Sequence, residues 1–324
     1  MWTLVLSLGA ATTWGVADFV GALRARAYSP LLVAVYSEVV GMVPVLAALF
    51  LVGDAFPGWD HLPWAVIAGF TGSVGHVVFF IALARGPIGV IAPIFACSSA
   101  GPAVIAVVLL GERPTFIQIA GIAVAIAGVV LVSRHAGERD LKHGKYGAVP
   151  IALAGVAILT LFYLSMDQLA AESPLWGVTM QRSFGLPLLL IVFAIGLQRG
   201  TTSAPRGSFM AIAPVGLMDT AAFVGFAYAA SLGDLSIAVV LSSLYPVVTI
   251  LLARIKLDER LSTIQRVGAG FALLGVIAIV LGGSTLLWCQ APMQSAVRVA
   301  TLVLRCFGAR HQSNVRQGNV RCGW

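Results

Sequence analysis

Charge is what this sequence has least of: Asp, Glu, Lys and Arg together make up 10% of its 324 residues, where a water-soluble domain carries about a quarter. With 59% hydrophobic residues and a mean hydropathy of +0.96, the chain has too much apolar surface for one soluble core. It divides better into membrane spans of about 20 apolar residues each. Cysteine is also scarce. Of the four, Cys97 lies in an apolar run and Cys289, Cys306 and Cys322 fall in the last forty residues, without disulfide or metal-ligand spacing. There is no P-loop, no paired His/Glu motif on one helix and no acidic repeat for metal-bound phosphate, which argues against direct ATP drive and against an intramembrane enzyme. Neither metal nor cofactor is expected. Met1-Trp2-Thr3-Leu4 lacks the basic stretch and cleavage pattern of a secretory signal, so the first apolar run is expected to remain as a span. The net charge of +7 does not indicate nucleic acid, because Lys and Arg sit between apolar runs and form no basic stripe.

What is present is repetition. Gly86 to Val129 recurs 147 positions later as Gly233 to Val276, with eight identities in one register: Gly86/Gly233, Glu112/Glu259, Arg113/Arg260, Ile117/Ile264, Gln118/Gln265, Gly121/Gly268, Gly128/Gly275 and Val129/Val276. Ser29-Pro30 and Gly41 match Ser173-Pro174 and Gly185 at an offset of 144. Ten apolar runs follow, at 3–22, 31–52, 63–84, 88–110 and 115–133, then 147–166, 174–198, 209–230, 234–254 and 263–283. In lipid such runs must be helices, which satisfy their own backbone groups. Five spans per half is an odd number, so the second half enters the membrane the other way up. The expected fold is all-α and integral to the membrane: ten transmembrane helices as two inverted five-helix repeats, 1–136 and 147–283. A basic linker at 137–146 joins them, and a polar basic tail, 284–324, follows; within it 293–307 can form an interfacial amphipathic helix or stay disordered.

Lys and Arg concentrate in alternate loops, and the opposite set holds only Arg113. The positive-inside rule then makes the linker cytoplasmic, whereas the arginines of the tail oppose that orientation.

Leu110-Gly111-Glu112-Arg113 with Gly121 and Gly128, and its copy Leu257-Asp258-Glu259-Arg260 with Gly268 and Gly275, resemble the motif ending each half of the EamA family, in the drug/metabolite transporter superfamily. Trp14-Gly15 and Leu241-Ser242-Ser243-Leu244-Tyr245-Pro246 are similar to further family motifs, and the resemblance covers residues 3–283. One departure is visible: the position equivalent to Pro246 is Ser99, and the nearest proline is Pro102. The resemblance implies a multi-pass permease of the plasma (inner) membrane that exports small metabolites or drugs by alternating access. Its expected partners are a small-molecule substrate, lipid and protons. An uncoupled facilitator and a non-transporting scaffold remain alternatives.

Ionisable groups inside spans carry most information about a site, since each costs several kcal/mol in hydrocarbon unless it faces protein or water. They are Asp18, Glu38, His76, Asp167, Arg182 and Asp219; Asp18 and Asp167 also lie near enough to helix ends to reach the interface. Glu38 and Arg182 occupy equivalent repeat positions, so the inverted halves can bring them together as an ion pair, either as a structural tie or for binding and gating. His76 and Asp219 can carry protons or simply pack as hydrogen-bonded polar groups. Trp14 and Tyr245 are the aromatics favoured for substrate contact. Glu112, Arg113, Glu259 and Arg260 sit between consecutive helices, where the carboxylate can favour the next helix's N-terminus or the pair can act as a gate. Pro93, Pro102, Pro187, Pro214 and Pro246 are expected to interrupt helices.

Overall fold

A computed structural model describes residues 2–101, 105, 115–140, 147–169, 173–232, 241–242, 244–259 and 261–283. Among them there are ten α-helices and no strand: α1 (Trp2–Ala27), α2 (Pro30–Val52), α3 (Leu62–Arg85), α4 (Ile88–Ala96, followed by a 3-10 turn Cys97–Ala100), α5 (Phe116–Asp140), α6 (Ala148–Leu169), α7 (Pro174–Gln198), α8 (Ser208–Leu232), α9 (Tyr245–Leu257) and α10 (Thr263–Gly283). Seven are long and apolar enough to cross a membrane: α1, α2, α3, α6, α7, α8 and α10. The protein is therefore a multi-pass, all-helical membrane protein.

The repeated residues have identifiable local work. Ser29 and Ser173 are the N-caps of α2 and α7, each accepting from the backbone N–H three residues on (Leu32, Trp176), and the following prolines occupy the first helical turn, where a missing N–H costs nothing. Gln118 and Gln265 close capping boxes. Their side-chain oxygens accept from the N–H of Thr115 and Ser262 at 2.9 and 3.0 Å, and the hydroxyls of Thr115 and Ser262 accept from the N–H of Gln118 and Gln265 at 3.2 Å each. The matched glycines then bring α5 and α10 together. A Cβ at Gly121 would stand 2.9 Å from the Gly275 carbonyl oxygen, and one at Gly128 2.7 Å from that of Gly268. Small residues permit this backbone approach, which supplies the packing that lipid tails do not drive.

Contacts between the halves come in matched sets: α1 packs on α8 as α3 does on α6, and α2 on α8 as α3 does on α7, while α2–α7, α4–α9 and α5–α10 meet their own counterparts. The apolar core gathers Phe80, Leu83, Ile88, Ile91, Phe95, Ala148 and Ile212, from α3, α4, α6 and α8. Both halves thus share one core.

Several expected boundaries move. α1 continues to Ala27 and so places Asp18 in a helix interior rather than near an end. The α5 backbone runs to Asp140, so the first four residues of the expected linker are helical; 141–146 and the tail lie outside the described residues. Pro187 and Pro214 sit inside continuous helices, as does Pro44, and do not interrupt them. In a membrane, neighbouring helices, Ser/Thr side chains and small backbone adjustments re-satisfy the groups that a proline frees, so such helices continue. Pro246 does mark a helix start, in the first turn of α9, and Pro93 lies four residues before the 3-10 turn. Pro102 is outside the described residues.

Candidate functional site

Glu38 from α2 and Arg182 from α7 meet. Arg182 Nη1 lies 3.2 Å from Glu38 Oε2 and donates to the Glu38 backbone oxygen at 3.3 Å. Both side chains are about as buried as any charge among the described residues, at 7% and 6% exposure. The same guanidinium donates through Nη2 to Asp219 Oδ2 of α8 at 3.0 Å, and on the far side Glu38 Oε1 lies 3.2 Å from Nδ1 of His76 on α3. The imidazole stacks on Phe80, one helical turn along, with ring centroids 4.8 Å apart. The result is a chain His76–Glu38–Arg182–Asp219 drawn from four helices and both halves, near the middle of their spans.

Glycine makes room for it. A Cβ at Gly41 would stand 3.0 Å from Arg182 Cζ and 2.6 Å from Thr220 Oγ1, and the Thr220 hydroxyl donates to the Gly41 carbonyl at 3.1 Å. The mate of Gly41 is Gly185, which lies against Ser73, the mate of Thr220 at the 147 offset. The scaffold around the charges is therefore symmetric while the charges are not: Asp219 corresponds to Gly72 and His76 to Phe223.

Asp18 of α1 is half-buried and within electrostatic range of Asp219. Tyr163 of α6 interacts with both carboxylates, and Tyr245 of α9 with Tyr163 and Asp18. Trp14, one turn before Asp18, packs edge-on against Tyr245 at 6.5 Å and against Phe226 at 6.0 Å. Gly15 permits that α1–α9 contact: a Cβ there would lie 2.6 Å from the Tyr245 carbonyl, and the Thr249 hydroxyl donates to the Gly15 carbonyl at 3.1 Å. The structure thus assembles Trp14, Asp18, Glu38, His76, Arg182, Asp219 and Tyr245 into one region, with three carboxylates to one guanidinium.

Glu259 stands apart from it. Its Oε1 pairs with Arg26 Nη2 at 3.2 Å and its Oε2 accepts from the Gly89 N–H at 3.3 Å. The carboxylate does favour a helix N-terminus, but that of α4 in the other half rather than α10, because the turn after α9 folds across the start of α4. Arg26 also donates to the Leu83 and Gly86 carbonyls at 3.3 and 2.8 Å, so α1, α3, α4 and α9 are tied at one end. Sequence reasoning missed Arg26, since nothing links it to a residue 233 positions away. Tyr163 had no signal beyond being one aromatic among many. Glu112, Arg113 and Arg260 lie outside the described residues, as does the side chain of Asp167. Pro246 is buried at the start of α9, the end opposite Glu259.

Comparison with known proteins adds a family and a fold. The model of the EamA-like transporter family matches residues 1–134 and 146–281. A protein of Streptantibioticus cattleyicolor named "Probable terminal-alkyne amino-acid exporter" is 26% identical over 284 residues, covering 86% of this chain and 92% of its own. A solved crystal structure superposes with a TM-score of 0.55 at 19% identity over 86% of this chain and 97% of that one, a likeness of fold.

Proposed function

The chain belongs to the EamA-like transporter family, and from that premise we propose that it is a ten-span exporter of small amphipathic metabolites in the plasma (inner) membrane, built as two inverted repeats and working by alternating access in exchange for protons. The observation that carries this reading is the buried chain His76–Glu38–Arg182–Asp219 joining the two halves near mid-span. Buried ion pairs recover little net stability once desolvation is counted, so their retention here fits a working site better than a brace. A guanidinium shared by two carboxylates from α2 and α8 is a natural element to repartner as the halves rock. Protonating either carboxylate releases one of its two ties. The groups facing this chain are Asp18, Tyr163 and Tyr245, all of which enter the same charge balance.

The relative's printed name makes amino-acid-like solutes the first class to screen. The Arg26–Glu259–Gly89 tie holds one end of the bundle closed in this arrangement and is assigned as a gate; Trp14 and Tyr245 form the apolar wall for the solute. In proteoliposomes the protein should move solute under a proton gradient, and Glu38→Gln or Asp219→Asn should flatten the pH dependence of that flux. Unchanged pH dependence would reject the coupling assignment, and counterflow indifferent to the gradient would make the protein an uncoupled facilitator.

A further inference from the structure

Resting on the transporter reading above, we propose that Asp18, walled by Trp14, Tyr163 and Tyr245, is the subsite for a protonated amine on the cargo. The three carboxylates of the centre are not equivalent. Glu38 is held by Arg182 and His76, and Asp219 by Arg182. Asp18 makes no hydrogen bond or ion pair among the described residues, and its charged neighbour is another carboxylate, Asp219. An ionised carboxylate inside a membrane protein is costly without a counter-charge. The one guanidinium described there is already committed twice, so Asp18 is neutralised either by a proton or by a cation from outside the chain, and an exchange of one for the other is what a cargo amine would perform.

The walls suit an organic cation. Trp14 precedes Asp18 by one turn and so shares its helix face. Its ring is edge-packed on Tyr245, and the phenols of Tyr163 and Tyr245 lie within electrostatic range of the carboxylate. Aromatic faces attract ammonium groups, and the indole N–H and both phenol hydroxyls have no partner among the described residues. One buried atom in the adjoining chain, Arg182 Nε, also has no hydrogen-bond partner, which in a charged centre points to a polar molecule that belongs there. Tyr163 keeps 37% exposure and the Asp219 side chain 35%, so neither is sealed in the packed interior. With carboxylates outnumbering the guanidinium, the preference should run from a net cation through a zwitterion to an anion.

Calorimetric titration of the full-length protein in detergent tests this with three probes of one shape: leucine amide, leucine and N-acetylleucine. We expect binding in that order, with the amide at least tenfold tighter than the N-acetyl compound, and Asp18→Asn abolishing the preference while Asp18→Glu keeps it. The proposal is overturned if N-acetylleucine matches the amide, if none of the three binds, or if Asp18→Asn retains the preference. The wild-type series stands even where a variant does not fold. Amine-selective binding without any flux in liposomes would sink the transport reading alone, and flux without amine selectivity would sink this inference alone.

Discussion

Replacing Arg182 with Met removes the one cation shared by Glu38 and Asp219 while roughly keeping side-chain volume. Two unit charges about 4 Å apart at an effective dielectric near 20 attract by about 4 kcal/mol, and breaking a buried pair by removing one partner costs about 3–5 kcal/mol. Glu38, at 6% side-chain exposure, should bear most of that. Asp219, at 35%, loses less because solvent screens it. The imidazole of His76, 3.2 Å from Glu38, remains as a hydrogen-bond partner and offsets part of the loss, which places the expectation toward the lower end. At roughly 2 °C per kcal/mol for a chain of this size, Arg182→Met should melt about 6 °C below wild type in a detergent-solubilised thermal assay. The double variant Glu38→Gln/Arg182→Met should recover more than half of that shift, because only the more exposed Asp219 is then left without its cation. A single variant melting within about 2 °C of wild type, or a double variant as damaged as the single, would refute the claim that the pair is buried and coupled.

Gly275→Leu should lower the melting point by the equivalent of about 1–3 kcal/mol through overpacking, since even a Cβ there would stand 2.6 Å from the Ala125 backbone, whereas Gly270→Ala, with nothing within 4 Å, should be tolerated. Equal melting of the two variants would contradict the close α5–α10 contact. Glu259→Gln should cost less than about 1 kcal/mol, because both members of its pair with Arg26 are partly exposed, and yet change the counterflow rate severalfold. An unaltered rate would remove the gate assignment.

The charged centre shows where sequence reasoning succeeds and where it stops. Glu38 and Arg182 could be suspected because a repeat register relates them, and inverted helices approach a common axis. That Arg182 also holds Asp219, and that His76 closes the other end, depends on side-chain reach across four helices. Asp18 was ambiguous because the first apolar run, 3–22, ends four residues after it, near enough for the side chain to reach the interface. α1 instead continues for another turn, with Arg26 taken up by carbonyls of α3 and its following loop and by Glu259.

By itself the sequence determined the bilayer as solvent, the helical class, the duplicated halves and their family, because composition, span length and repeat register are local properties of the chain. It also held the caps at Ser29, Ser173, Gln118 and Gln265, whose partners lie within three residues. Tertiary structure alone decided which carboxylate of the centre is left without a cation and which helix Glu259 caps. Both depend on partners far apart in the chain, and Coulomb and hydrogen-bond energies act over distances in space that the order of residues does not record.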